Sequence, residues 1–217
     1  MKKGDFIWFA ALCAVSAFLL VPTLHEIFVT QTKAHPYLMG FAKFAILATM
    51  GELLSLRILF GKWTKPIGMA YKTIIWGIIG MCIVLMFGLF SSGVAGLETQ
   101  GLLFKASGFF GALFTAFFIS AFMNLTFAPV FMATHRFTDT YIDMRAENKG
   151  VTSTQVLDTI DWKGFIRFVV GKTLPFFWIP AHTATFLLPP QYRVIAAAYL
   201  SIALGLILAY ARRKKSN

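Results

Sequence analysis

The chain has 217 residues, of which 58% are hydrophobic and only 13% charged, with a formal net charge of +11 and a mean hydropathy of +0.71. Soluble domains average about 45–50% apolar and about 25% charged, so this balance excludes an ordinary soluble domain. No nucleic-acid-binding module accompanies the positive charge, and Cys13 and Cys82 form no disulfide framework or metal spacing.

Several apolar runs reach the roughly 20 residues that cross a hydrocarbon core. They are continuous rather than alternating, which predicts helices and not a barrel. The expectation is an all-α, polytopic transmembrane bundle forming a single integral membrane domain over residues 1–217. Six spans are predicted, near residues 6–29, 37–60, 67–92, 104–134, 164–188 and 191–210. The first begins after Lys2-Lys3 and continues past a weak cleavage-like Ala14-Val15-Ser16, so it is expected to stay uncleaved. Pro36, Pro66 and Pro189-Pro190 separate spans. Pro129 predicts a kink in the long fourth span or a projection beyond the bilayer, and Pro175 and Pro180 predict a bent or partly unwound fifth. The polar segment 135–163 is expected to be a cytoplasmic loop with a short amphipathic helix around Thr154–Leu157.

Cations set the orientation. Lys2, Lys3, Lys62, Lys65, Lys72, Arg136, Arg145, Lys149, Lys163 and the tail Arg212–Lys215 fall on one side. Only Lys33, Lys105 and Arg193 fall on the other. Both termini are then cytoplasmic, with the basic loops against anionic lipid headgroups.

Polar residues recur on single faces inside these spans. Thr49, Glu52 and Ser55 share a face of the second. Ser120, Asn124, Ala128, His135 and Asp139 fall within about 100° of arc on the fourth, and Lys172 and His182 within about 80° on the fifth. A rise of 1.5 Å per residue puts Glu52 about 13 Å and Lys172 about 15 Å deep, which predicts a Glu52–Lys172 pair. Glu52, Ser55, Asn124, Lys172 and His182 are therefore expected to line a polar interior. Lys43 and Arg57 lie nearer helix ends and are expected to snorkel. Asn124 also suits plain interhelical hydrogen bonding. His135, Asp139 and Asp143 form an i, i+4, i+8 row at the cytoplasmic end, with the depth estimates separating them from Glu52. The row fits a solvated helix end or, with ligands from elsewhere, a metal site. No bound metal or cofactor is expected. Ala197, Ser201, Gly205 and Ala209 recur every four residues, which suits close helix packing within the chain or in a homo-oligomer.

Two segments carry a family resemblance. His35-Pro36-Tyr37 followed by Met50-Gly51-Glu52-Leu53-Leu54-Ser55, and the stretch from Trp178 to Arg193 (W-I-P-A-H-T-A-T-F-L-L-P-P-Q-Y-R), resemble the Mpv-type family of small mitochondrial inner-membrane and peroxisomal proteins with bacterial relatives. Gly51-Glu52 stands where that family has Gly-Asp, and Thr185-Phe186 where it has Asn-Phe. Trp178 and Pro180 are separated by Ile179 rather than adjacent, and the resemblance covers roughly residues 35–213. It implies a channel or pore for small solutes and adds Trp178 and Thr185 to the expected lining. The resulting expectation is a non-enzymatic, channel-like or transport protein of a bacterial inner membrane. The alternatives are an intramembrane metal-dependent enzyme using His135, Asp139 and Asp143, and a non-catalytic scaffold or lipid-binding protein.

Overall fold

The computed structural model describes residues 2–147 and 150–216, with side chains through Ile207. Lys149 and the side chains of Ala209 and the basic tail Arg212–Lys215 lie outside that description. The described residues form helices and the connections between them, without a strand. Its helices are α1 (Lys3–Leu20), α2 (Pro22–Ala34), α3 (Pro36–Phe60), α4 (Met69–Thr99), α5 (Gly108–Glu147), α6 (Ser153–Thr159), α7 (Trp162–Gly164), a π-helical segment (Phe165–Trp178), α8 (Ile179–Leu187) and α9 (Pro190–Ser216). Four are long and apolar enough to cross a membrane: Lys3–Leu20, Met69–Thr99, Gly108–Glu147 and Pro190–Ile207. Phe6, Phe9, Phe109, Phe110 and Phe176 are each 60–80% exposed, an apolar exterior of the kind lipid covers. These features make the chain an all-helical membrane protein.

Two predicted spans depart from simple apolar rods. The first divides at Val21, whose φ of −88° and ψ of 120° are extended. Pro22 imposes this, because its ring disfavours the helical conformation of the residue before it. The fifth becomes α7, the π-helical segment and α8 in succession. Pro175 has no N–H to give to the ladder, and Thr173 donates its hydroxyl to the Phe168 carbonyl five residues back, at 3.1 Å. In i→i+5 geometry each residue turns through less than the 100° of an α-helix. Phases counted at α spacing therefore drift along this segment.

α5 is one helix of 40 residues through Pro129, about 60 Å long and so about twice the hydrocarbon thickness. Residues 135–147, expected as loop, are its C-terminal end. The short helix expected in this region is α6, opened by Thr152, which accepts from the Gln155 amide at 3.4 Å.

α3 is the spine. Glycines let it touch both neighbours at backbone distance. A Cβ at Gly80 would run into the Gly40 carbonyl, and one at Gly51 would sit 3.2 Å from the Ile202 Cα. A Cβ at Gly205 would meet Ser55 Oγ at 2.6 Å. Of the small-residue row on α9, Gly205 packs inside the chain and Ser201 lines a cavity. Around the spine, Leu47, Met123, Leu174, Val94 and Ala198 are at most 2% exposed. α1 is pinned across this core by the Trp8 indole, which donates to the Met50 carbonyl at 3.0 Å. Asp5 accepts from Arg57 at 2.9 Å and from Trp63 at 2.8 Å. Arg57 thus binds a carboxylate within the protein rather than snorkelling to headgroups.

The glycine contacts give a test. Gly80→Val should force α3 and α4 apart at an overpacking cost of about 1–3 kcal/mol. The melting midpoint in detergent should fall by roughly 2–10 °C. Gly88→Ala, where a Cβ meets nothing within 4 Å, should not lower it.

Candidate functional site

Lys72 organises the site. It lies one turn into α4, 6% exposed, and not in a loop as its position after Pro66 suggests. Its ammonium lies 2.9 Å from Asp143 Oδ1, 3.0 Å from Asp139 Oδ1 and 3.6 Å from Glu52 Oε1. One cation thus joins carboxylates of α3 and α5. A buried ammonium is stable only when its Coulomb attraction and hydrogen bonds offset lost hydration, and Asp139 and Asp143 supply both. The carboxylates keep partial access to solvent, with side-chain exposures of 25% for Glu52, 35% for Asp139 and 49% for Asp143.

This arrangement corrects the expected Glu52–Lys172 pair. Lys172 is exposed on the π-helical segment, and the ammonium beside Glu52 is that of Lys72. The α-helical angular step that aligned Lys172 with His182 does not hold in π geometry. The expected separation of Glu52 from Asp139 and Asp143 is corrected as well. Depth counted from helix ends leaves out the reach of a lysine side chain between two helices.

Beside the cluster, α3, α4, α5, the π-helical segment, α8 and α9 enclose a cavity of about 390 Å³. Glu52, Ser55, His135 and Asp139 line it near the Lys72 end. Asn124, Trp178 and His182 line it deeper in the bundle. Much of the remaining wall is apolar, including Phe44, Phe127, Phe131 and Met132. The two histidines are held by aromatic faces. His135 lies 4.3 Å from Trp76 between ring centroids, and His182 stacks on Trp178 at 4.9 Å with 28° between planes.

The deeper polar group follows from one amide. Asn124 Nδ2 donates to the Ser120 carbonyl at 2.8 Å and contacts His182 Nδ1 at 3.0 Å. Both amide hydrogens are then used, which makes His182 Nδ1 the acceptor and puts its proton on Nε2. Ser120 Oγ in turn donates to the Ile179 carbonyl at 2.7 Å, tying α5 to the start of α8 beside Pro180. The same wall leaves two buried nitrogens unpartnered, His135 Nδ1 and Trp178 Nε1. Buried polar atoms are nearly always hydrogen-bonded, so these two are exceptions within the wall.

Two other expected residues fall elsewhere. Thr185 is buried but lies outside the cavity wall, and its hydroxyl donates to the Ala181 carbonyl at 2.9 Å. Thr49 turns to α4 and bonds Thr73 at 3.1 Å. The row of His135, Asp139 and Asp143 is split. His135 packs on Trp76 and both aspartates bind Lys72, so a cation of the chain already sits between the acids. Among the described residues no group of three or more His, Cys, Asp or Glu is arranged to hold a metal ion. Lys72 and Trp76 are the site residues missing from the expected set. They share a face of α4 at i, i+4, a polar–aromatic row that helical spacing could have exposed. Comparison of the chain with family models, with curated proteins and with solved structures finds no match.

Lys72→Met should leave like charges crowded and cost about 1–3 kcal/mol, a figure reduced for the exposure of the carboxylates. Lys172→Met should stay within about 0.5 kcal/mol. Denaturant unfolding of both variants in detergent checks the difference, and a double-mutant cycle with Glu52→Gln should find coupling to Lys72 and none to Lys172.

Proposed function

We propose that the chain is a non-enzymatic, channel-like or transport protein that admits a small polar solute to the cavity between α3, α5, α8 and α9. The observation that carries this reading is a cavity of about 390 Å³ whose wall sets Glu52, Asn124 and His182 among apolar side chains inside the bundle. That volume falls within the roughly 300–1,000 Å³ typical of small-molecule sites. Glu52 and Asp139, both held by Lys72, form the polar end of the wall, and the stacked His182–Trp178 pair with Asn124 forms the inner part. Hydrogen-bonding groups on an otherwise apolar surface suit a solute that sheds water in exchange for a few directed bonds.

The proposed topology is multi-pass, six crossings with both termini cytoplasmic in a bacterial inner membrane. Its support is the grouping of chain ends. The Lys2 ammonium donates to the Gly61 carbonyl at 2.9 Å, which brings the N-terminus to the α3–α4 turn. Lys72 brings the end of α5 to the same pole. The cations of the N-terminus and of the α3–α4 turn then lie at the pole where α5 ends, which supports reading that pole as cytoplasmic under the positive-inside rule. Membership of the Mpv-type family is part of the proposal. Both resembling segments contribute to one wall, Gly51, Glu52 and Ser55 from the first and Trp178 and His182 from the second.

Purified protein in planar bilayers or solute-loaded vesicles should pass small polar solutes. Glu52→Gln should change conductance or flux, and Ala128→Phe, which fills the cavity, should reduce it at least about tenfold. Silence of the parent protein, or full flux through Ala128→Phe, would overturn the proposal.

A further inference from the structure

A second cavity, of about 550 Å³, lies at the opposite pole from Lys72. The end of α2, the first half of α3, the later part of α4 and the first turn of α9 enclose it. Its wall carries Lys33, Lys43 and Arg193 and no carboxylate. Lys43 is 6% exposed. Its ammonium donates to Thr32 Oγ1 at 2.8 Å and lies 4.4 Å from the Phe28 ring centroid. Among the described residues no acid is within ion-pair distance of it. The expected snorkelling of Lys43 is therefore replaced by burial inside the protein. The contrast with Lys72 is direct: two lysines are buried to the same extent, one among three carboxylates and the other facing a hydroxyl and a ring.

A hydroxyl and an aromatic face satisfy two of the directions in which an ammonium donates and leave its charge unneutralised. Such a charge is costly to bury without an anion. Three further features of the wall suit one. Arg193 uses Nε on the Leu188 carbonyl at 2.9 Å, which leaves the guanidinium Nη groups for another acceptor. Ser91 Oγ is buried and unpartnered. α9, a helix of 27 residues, begins at Pro190 on the same wall and turns its positive end there.

We propose that this pocket binds a phosphate group, with Lys43 and Arg193 neutralising it and the Ser91 hydroxyl as a further donor. A tetrahedral oxyanion suits an ammonium, a guanidinium and a hydroxyl carried by separate helices around one cavity. The group comes either from an anionic lipid headgroup entering from the bilayer edge or from a free phosphate in solution. The site is separate from the cavity at Lys72 and does not require solute passage.

The test uses the full chain. In a non-ionic detergent, the melting midpoint is followed against inorganic phosphate, with chloride at equal ionic strength as the control. In nanodiscs, phosphatidylcholine alone is compared with phosphatidylcholine containing phosphatidylglycerol. The midpoint should rise with phosphate if the group is free, and with phosphatidylglycerol alone if it belongs to a lipid. Arg193→Gln should weaken the response at least about tenfold in ligand concentration, and Lys43→Met should abolish it. Ser91→Leu keeps every charge and fills the pocket, so it should also abolish the response and serves where Lys43→Met does not fold. Stabilisation by neither ligand, or an undiminished response in Ser91→Leu, would overturn the proposal.

Discussion

One buried ammonium holds the polar pole of this protein together. Lys72 must find anions where it lies, and the anions it finds come from α3 and α5. Lipid contributes no hydrophobic force between helices, because acyl chains are as apolar as leucine, so such polar contacts and close packing decide which helices adjoin. The glycine contacts of α3 with α4 and α9 supply the packing. The Lys72 cluster adds α5 to the assembly and fixes its height, since Asp139 and Asp143 sit one turn apart and both must reach the same nitrogen. The apolar part of α5 ends before these acids.

The cavity is a consequence of the same arrangement. Gly51 and Gly205 bring α3 and α9 together, while the π-helical segment with Pro175 carries Trp178 and α8 carries His182 on the other side of the cavity. The polar side chains needed to bind helices to one another, Glu52, Asn124 and His182, then face the space between them. The two poles differ in kind. At one, acids outnumber the single buried base. At the other, the cations Lys33, Lys43 and Arg193 have no acid on their wall.

Much of this was legible in the residues, and the failures have definite causes. Pro36 and Pro190 open α3 and α9, and the 3.6-residue period placed Asn124 on the inner face of α5. His182 also lines the interior, on the side of Asn124. Lys172 was misassigned because its phase and depth were counted on α geometry across fourteen residues that are π-helical. Lys72 was overlooked because a lysine just after a proline-marked turn looks like a topological cation. Its burial depends on α5 continuing through residue 147, a tertiary fact with no local signature. The break at Val21 is legible from Pro22 alone, although the apolar run continues around it. Thr185 came from resemblance rather than periodicity, and its hydroxyl is used by the backbone of α8.

The claim that Lys72 joins α3 and α5 can be measured by zero-length carbodiimide coupling of the folded protein, followed by mass spectrometry of the cross-linked peptides. The half-exposed Asp143 carboxylate accepts the reagent, and the only amine in contact with it is that of Lys72 among the described residues. The account predicts amide bonds from Lys72 to Asp143 and Asp139. A cross-link from Glu52 to Lys172, with Lys72 recovered unmodified, would contradict it.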